Sequence, residues 1–175
     1  MSQPTTKALS IDQHGPYGGS DHPTFNFILG PGEEITKVHV ECGYITDALG
    51  FEIVDQLGNV ETRWTDGTVT GKVKSKNTKV GFHESRTINL AGETITKISG
   101  HEGDYGEQGR HVAQLRIHTD MNAGGYGPFG LMRNCTNIKA FESPDTPPGA
   151  VIGFFGTQGT YTNASLRNLG VTIKK

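Results

Sequence analysis

A chain of 175 residues with a formal net charge of −2 is long enough for one domain with its own hydrophobic core and too short for two ordinary ones. That charge balance supplies no basic field to recruit nucleic acid or an anionic membrane surface, and no run of roughly 18 apolar residues is present to insert into a bilayer. The 25 glycines and 8 prolines are spread along the chain, which suits many short strands joined by tight turns and not a disordered segment.

The residues after Met1 hold no apolar stretch that would direct export, so a soluble cytoplasmic protein is expected. Cys42 and Cys135 form neither a disulfide framework nor a metal-ligand spacing, and both are expected to be buried thiols. No metal and no cofactor is expected.

In chain order, residues 1–13 read as a polar tail ending in a first short strand, and residues 14–175 as a single domain. Gly15-Pro-Tyr-Gly-Gly-Ser-Asp-His-Pro reads as a loop, Phe25 to Leu29 as a strand and Gly30-Pro-Gly as a turn. Ile35-Thr-Lys-Val-His-Val alternates as a half-buried strand does. Glu41 to Asp55 then runs from a turn at Gly43, past an acid at Asp47, into an alternating strand at Leu49, Phe51 and Ile53. After a turn at Gln56 to Asn59 come a strand from Val60 to Thr65 and a second turn, Thr65-Asp-Gly-Thr. Residues 71–83 carry four lysines and alternate poorly, as an exposed hairpin or an insertion would.

Thr87 to Leu90, Gly92 and Ile95 to Ile98 repeat the order of strand, turn and strand seen from Phe25 to Val40. Gly100 to Gly109 reads as a polar loop, Val112 to Thr119 as a strand, Tyr126 to Gly130 as an aromatic-glycine turn and Pro144 to Gly149 as a loop. Val151 to Gly156 opens a last copy that closes with Gly159-Thr-Tyr-Thr-Asn and a strand from Leu169 to Ile173. Ile35 and Ile95 lie 60 residues apart, and Ile95 and Ile152 lie 57 apart. Three all-strand copies of that length point to a closed threefold arrangement of four-stranded sheets. With no 3.6-residue periodicity, the fold class is all-β.

Gly15-Pro-Tyr-Gly-Gly, Ile35-Thr-Lys-Val, Asp47-Ala-Leu-Gly-Phe, Tyr126-Gly-Pro-Phe-Gly and Gly153-Phe-Phe-Gly-Thr-Gln-Gly-Thr-Tyr, in that order, resemble the jacalin-related lectins over Gly15 to Ile173. The resemblance implies a β-prism I of three four-stranded Greek-key sheets with pseudo-threefold symmetry. It also implies a sugar site where a Gly-rich loop lies beside a Gly-x-x-x-Asp loop, with the first strand completing the sheet of the last unit. Because residues 1–19 are continuous with the rest, it implies the mannose/glucose type. The expected partners are therefore mannose/glucose-type glycans or glycoproteins, bound by a chain whose default assembly is a symmetric homodimer.

The motif has a physical reason apart from the family. Hexose hydroxyls both donate and accept, so an ionised carboxylate can accept from two of them while backbone N–H groups donate to ring and hydroxyl oxygens. Glycine permits the close approach. Three places could hold such a site. The first joins Asp21 and His22 to Gly159, Tyr161, Thr162 and Asn163, with Asn163 standing where the resemblance expects an acid. The second joins Gly43, Ile45, Thr46 and Asp47 to the turn at Gly67, and keeps Gly-x-x-x-Asp intact. Its structural alternative is a turn acid that caps backbone N–H groups. The third joins Gly100 and Asp104 to Gly127-Pro-Phe-Gly, and its alternative is a solvated loop.

Tyr44, Tyr105, Tyr126, Tyr161 and Trp64 fall in or beside these stretches, where aromatic faces could stack on sugar C–H surfaces or simply pack. Seven histidines form no His-x-His or His-Glu-x-x-His, and no nucleophile motif is present, so an enzyme is not expected. The rival reading is a prism that binds protein or serves structure with degenerate sugar sites.

Overall fold

The computed structural model describes residues 10–70, 84–159 and 165–175. Residues 1–9, expected as a tail, and the lysine-rich stretch 71–83 lie outside the described residues. The chain forms β1 (Ile11–Gly18), β2 (Phe25–Ile28), β3 (Glu34–Cys42), β4 (Thr46–Val54), β5 (Val60–Trp64), β6 (Val69–Thr70) and β7 (Glu84–Asn89). It continues through β8 (Ile95–Tyr105), β9 (Arg110–Thr119), β10 (Tyr126–Phe129), β11 (Cys135–Glu142), β12 (Val151–Gln158) and β13 (Leu166–Lys174).

These strands make three antiparallel sheets on one plan. In the second, β8, β9 and β10 form a meander and β11 returns beside β8, which is a Greek key. In the first, β3, β4 and β5 do the same and β7 returns beside β3. The two-residue β6 is added beyond β5, so this sheet has five strands where four are expected. The closing sheet follows the plan across the chain ends: β12 and β13 form a hairpin, β1 lies beside β13, and β2 returns beside β12. Register runs from Ile11 opposite Lys174 to Gly18 opposite Asn168.

Alternation accounts for the strands that were legible. Along β3 and β4 the side chains of Val38, Val40, Leu49, Phe51 and Ile53 are at most 1% exposed. Burying such side chains contributes about 1.5–3 kcal/mol apiece. The sheets close on a shared core in which Phe51 and Phe154 stack with ring centroids 4.5 Å apart and Phe27 leans on Phe51 at 5.0 Å. The β8–β11 sheet contributes Ile98, Val112, Leu115 and Ile117 to it.

Four stretches differ from the sequence reading. Gly15 to Gly18 continues strand β1, where a loop is expected, and Gly100 to Tyr105 continues β8, where a polar loop is expected. Tyr126 to Phe129 is the strand β10 and not a turn, and Cys135 to Glu142 forms β11 without alternating apolar residues. Glycine misleads here because it also marks close backbone approach within sheets. A Cβ on Gly100 would stand 2.0 Å from the carbonyl oxygen of Gln114, and one on Gly15 would stand 3.1 Å from the Cα of Gly170.

Phe154 is fully buried against Phe51 and Phe27, so Phe154→Ala is expected to cost about 3–5 kcal/mol, read from the urea midpoint and slope.

Candidate functional site

One inner strand of each sheet ends directly before a glycine: Gly43 follows β3, Gly106 follows β8 and Gly159 follows β12. The turns that Gly43 and Gly106 open, Gly159 itself, and the connections β1–β2, β5–β6 and β10–β11 gather at one end of the prism. Hydrogen bonds between neighbouring sheets tie them together, from Leu131 N to Gly43 O (2.9 Å), from Arg167 Nη1 to Gln108 O (3.2 Å) and from Thr65 Oγ1 to Gln158 Oε1 (2.6 Å). Four residues beyond the three glycines stand Asp47, Arg110 and Asn163.

That equivalence corrects the third candidate. Gly100 lies opposite Leu115 and Asp104 opposite Arg110 inside the β8–β9 ladder, so Gly100 to Asp104 is paired strand and not a turn. Its expected partner, Gly127 to Gly130, is mostly strand β10, on the far side of β9 from Gly100. The turn equivalent to Gly43–Asp47 is Gly106–Arg110, and it presents a cation where a sugar clamp needs an acid. Arg110 donates from Nε to Glu102 (2.9 Å), from Nη1 to Asp104 (3.3 Å) and from Nη2 to the Asn137 carbonyl (2.9 Å). The Asn137 amide on Asp104 (2.8 Å), with Arg110 beside it, holds the Asp104 carboxyl below the usual carboxylate range. A glycine directly after the last residue of a strand is the signal that finds this turn, and only the strand register reveals where β8 ends.

The first candidate is brought together in part. The β1–β2 connection rests on the closing sheet through Thr157 Oγ1 to His22 O (2.8 Å), Asn168 Nδ2 to Gly19 O (2.8 Å) and Gln158 N to Thr24 Oγ1 (2.8 Å). Asp21 and His22 are exposed there, with Gly159 at the end of β12, whose N–H donates to Ser165 O at 2.8 Å. Tyr161, Thr162 and Asn163 lie outside the described residues. The Asp21 carboxylate receives Arg167 Nε at 2.8 Å, an ion pair that sequence reasoning missed because the two residues are 146 positions apart.

In the second candidate the two halves meet. Ile45, Thr46 and Asp47 are at most 5% exposed, and Tyr44 is half-buried. Thr46 Oγ1 donates to Phe129 O at 3.2 Å, which seats the turn against β10. Gln158 joins the halves: its Nε2 donates to the Asp47 carbonyl at 2.8 Å, and its Oε1 accepts from Thr65 Oγ1. Thr65 Oγ1 in turn accepts from Leu49 N at 3.1 Å. Gly67 holds φ at +89° with no atom within 4 Å of where a Cβ would stand, so this turn presents bare backbone to open space. The Asp47 charge is felt at the junction with the β8–β9 turn. There burial raises the Tyr105 phenol and Asp47 raises it further, and burial followed by the charges of Glu84 and Asp47 lifts the Cys42 thiol.

Two aromatic residues belong elsewhere. Trp64 is 6% exposed and lies over Gly50, stacked near His39 with centroids 5.8 Å apart. Tyr126 donates its hydroxyl to Glu93 at the opposite end of the prism. Among the described residues, no group of three or more His, Cys, Asp or Glu side chains could hold a metal ion.

Gln158→Ala leaves a buried carbonyl and a buried hydroxyl without this partner, and the expected loss is about 1–3 kcal/mol in urea unfolding. His111 is fully buried with Nδ1 donating to Gly109 O (2.7 Å), and burial depresses its pKa. The unfolded chain then binds the proton first, so stability is complete above about pH 6.5 and falls as pH drops from there toward the folded value. The urea midpoint of the wild type should fall between pH 7.5 and 5.5 by more than that of His111→Asn.

Residues 14–171 match the jacalin-like lectin domain. A mannose/glucose-specific lectin of Parkia platycephala is 26% identical over 160 residues, and that of Parkia pendula is 27% identical over the same length. In both cases the alignment covers 91% of this chain but 31% of the relative, so the chain spans about a third of the length of these relatives. Malaysian banana lectin superposes with a TM-score of 0.66 at 24% identity, over 94% of this chain and 98% of its own. A mannose-specific jacalin-related lectin from Morus nigra, solved in complex with mannose, superposes with a TM-score of 0.65 at 18% identity, over 99% of this chain and 100% of its own. Three antiparallel sheets, the last completed by the first two strands, and a family match over residues 14–171 place the chain in the jacalin-like lectin domain family.

Proposed function

We propose that the protein is a carbohydrate-binding lectin of the mannose/glucose type and that its principal hexose site is the turn pair Gly43–Asp47 and Thr65–Thr68. The observation that carries this reading is the comparison of the three equivalent turns: only this one has a carboxylate four residues after its glycine, and Gln158 holds it against its partner turn. The Parkia relatives named mannose/glucose-specific lectins and the mannose complex of the Morus nigra protein support the sugar class.

In this reading the Asp47 carboxylate accepts from two adjacent hydroxyls, and the bare backbone at Gly67 lets the ring approach. Burial strengthens those hydrogen bonds by lowering the local dielectric. A contact of this size is weak alone, and a homodimer presenting two such turns would raise the apparent affinity by avidity. The Asp21–Arg167 end is the secondary site. No catalytic role is assigned to any residue.

A prism that binds protein rather than sugar is the second reading, and specific observations favour it: Asp47 is only 5% exposed, and Arg110 and Asn163 occupy the two other acid positions. Titration with methyl α-mannoside, together with retention on mannose-agarose, separates the readings. Asp47→Ala is expected to weaken binding about 10- to 100-fold, the loss of one charge-assisted pair of hydrogen bonds, with its far-UV spectrum unchanged. An unaltered titration by that variant would remove this site, and a wild-type chain indifferent to millimolar sugar would sink the lectin reading.

A further inference from the structure

The end of the prism away from the Gly43–Asp47 turn is built from three copies of a different turn. Gly30 to Glu33, Leu90 to Glu93 and Pro147 to Ala150 each close with an N–H donated from the fourth residue to the carbonyl of the first, at 3.1, 2.9 and 3.1 Å. The third residue is glycine each time, with φ of 76° at Gly32, 74° at Gly92 and 80° at Gly149, as a type II turn requires. The backbones are alike, and the fourth side chain differs: two are glutamates and one is alanine.

Together the three turns line one cavity of about 690 Å³, within the range of roughly 300–1,000 Å³ that small-molecule sites occupy. All three sheets contribute to its apolar wall, through Ile35 of β3, Ile95 of β8, and Val151 and Ile152 of β12. The charged residues of the wall are Glu33, Glu34, Glu93 and Lys174, so carboxylates outnumber the ammonium. Arg63 offsets Glu33 at 2.8 Å but also pairs with Glu61. Glu93 is held by hydroxyls, Thr119 Oγ1 at 2.7 Å and Tyr126 Oη at 2.8 Å, and these neutral donors fix its carboxylate without cancelling its charge. A concave apolar wall carrying an anion fixed in place complements an apolar body that bears one cation.

We infer that this cavity binds a small organic ammonium compound, whose apolar ring or chain packs against Ile35, Ile95 and Ile152 while its ammonium pairs with Glu93. The site is separate from the sugar turn pair. β3 runs from Glu34 at the cavity to Cys42 beside Gly43, so nine residues of strand, roughly 30 Å, lie between the two. The inference does not depend on the hexose reading.

The test titrates tryptamine into the chain with its isoleucine δ1 methyls labelled. Indole-3-propionate, which carries the same ring on a side chain of the opposite charge, is the comparison. Tryptamine should shift the methyls of Ile35, Ile95 and Ile152, leave that of Ile45 at the sugar end unmoved, and bind at least about threefold more tightly than indole-3-propionate. Glu93→Gln keeps an acceptor for the two hydroxyls and removes the charge, and Ala91→Lys adds a cation at an exposed turn position that leaves folding untouched. Each should weaken tryptamine about three- to tenfold, and excess methyl α-mannoside should not displace it. The inference is overturned by a tryptamine titration that leaves the three cavity methyls unmoved, by equal binding of indole-3-propionate, by either variant binding as tightly as the wild type, or by displacement with the mannoside. A chain that binds tryptamine in this way but no sugar upholds the cavity site and removes the lectin reading alone.

Discussion

The structure depends on the pairing of β1 with β13. Until Ile11 lies opposite Lys174 and Gly18 opposite Asn168, the closing sheet is the three strands β13, β12 and β2 with β13 as an open edge. The connection that carries Asp21 and His22 is then anchored to the sheet only at its β2 end and through Thr157, Gln158 and Asn168. The ends meet again at Lys175, whose N–H donates to Ser10 O at 2.9 Å. Closing nearly the whole chain is the costliest contact in loop entropy, although that cost grows only logarithmically with length. Once it is made, Phe27 on β2 completes the stack with Phe51 and Phe154, and the three sheets share one core. Register on one edge and packing at the centre thus depend on each other.

Gln158 carries the same logic to the binding end. It is the last residue of β12, and it serves two neighbours at once. Its backbone N–H holds Thr24 of the β1–β2 connection, and its side-chain amide spans to Asp47 and Thr65 of the first sheet. At 5% exposure it is a polar group in a place that tolerates one only because both ends of its amide are satisfied. Two candidate sites that belong to different sheets are therefore held by one residue, one through its backbone and the other through its side chain.

The threefold plan repeats the backbone but not the chemistry. At the equivalent positions Asp47, Arg110 and Asn163, one unit offers an acid, one a cation and one an amide. In the β8–β9 unit the cation has drawn Glu102 and Asp104 into its own network, and Glu102 also accepts from Gly18 N at 2.8 Å. Carboxylates there serve the seam between sheets. Where Asp47 stands, the neighbouring loop instead leaves Leu131 and Arg133 at the surface.

Alternation of apolar and polar residues by itself determined the all-β class, the positions of β3, β4, β5, β9 and β13, and the threefold recurrence of strand and turn. The Gly43–Asp47 motif was also legible, because a glycine and an acid at fixed spacing carry local meaning. Where glycine sat inside paired strands the chain order misled: Gly15 and Gly100 look like turn residues, but they are there because another backbone passes within van der Waals reach. Gln158, Arg167 and Leu131 carry no local signal, since each acts on residues more than 80 positions away or on another sheet. Only the closed tertiary structure decided which turns are equivalent, that Arg110 rather than Asp104 answers to Asp47, and which loop borders the site, because strand register and sheet closure are properties of pairs of distant segments.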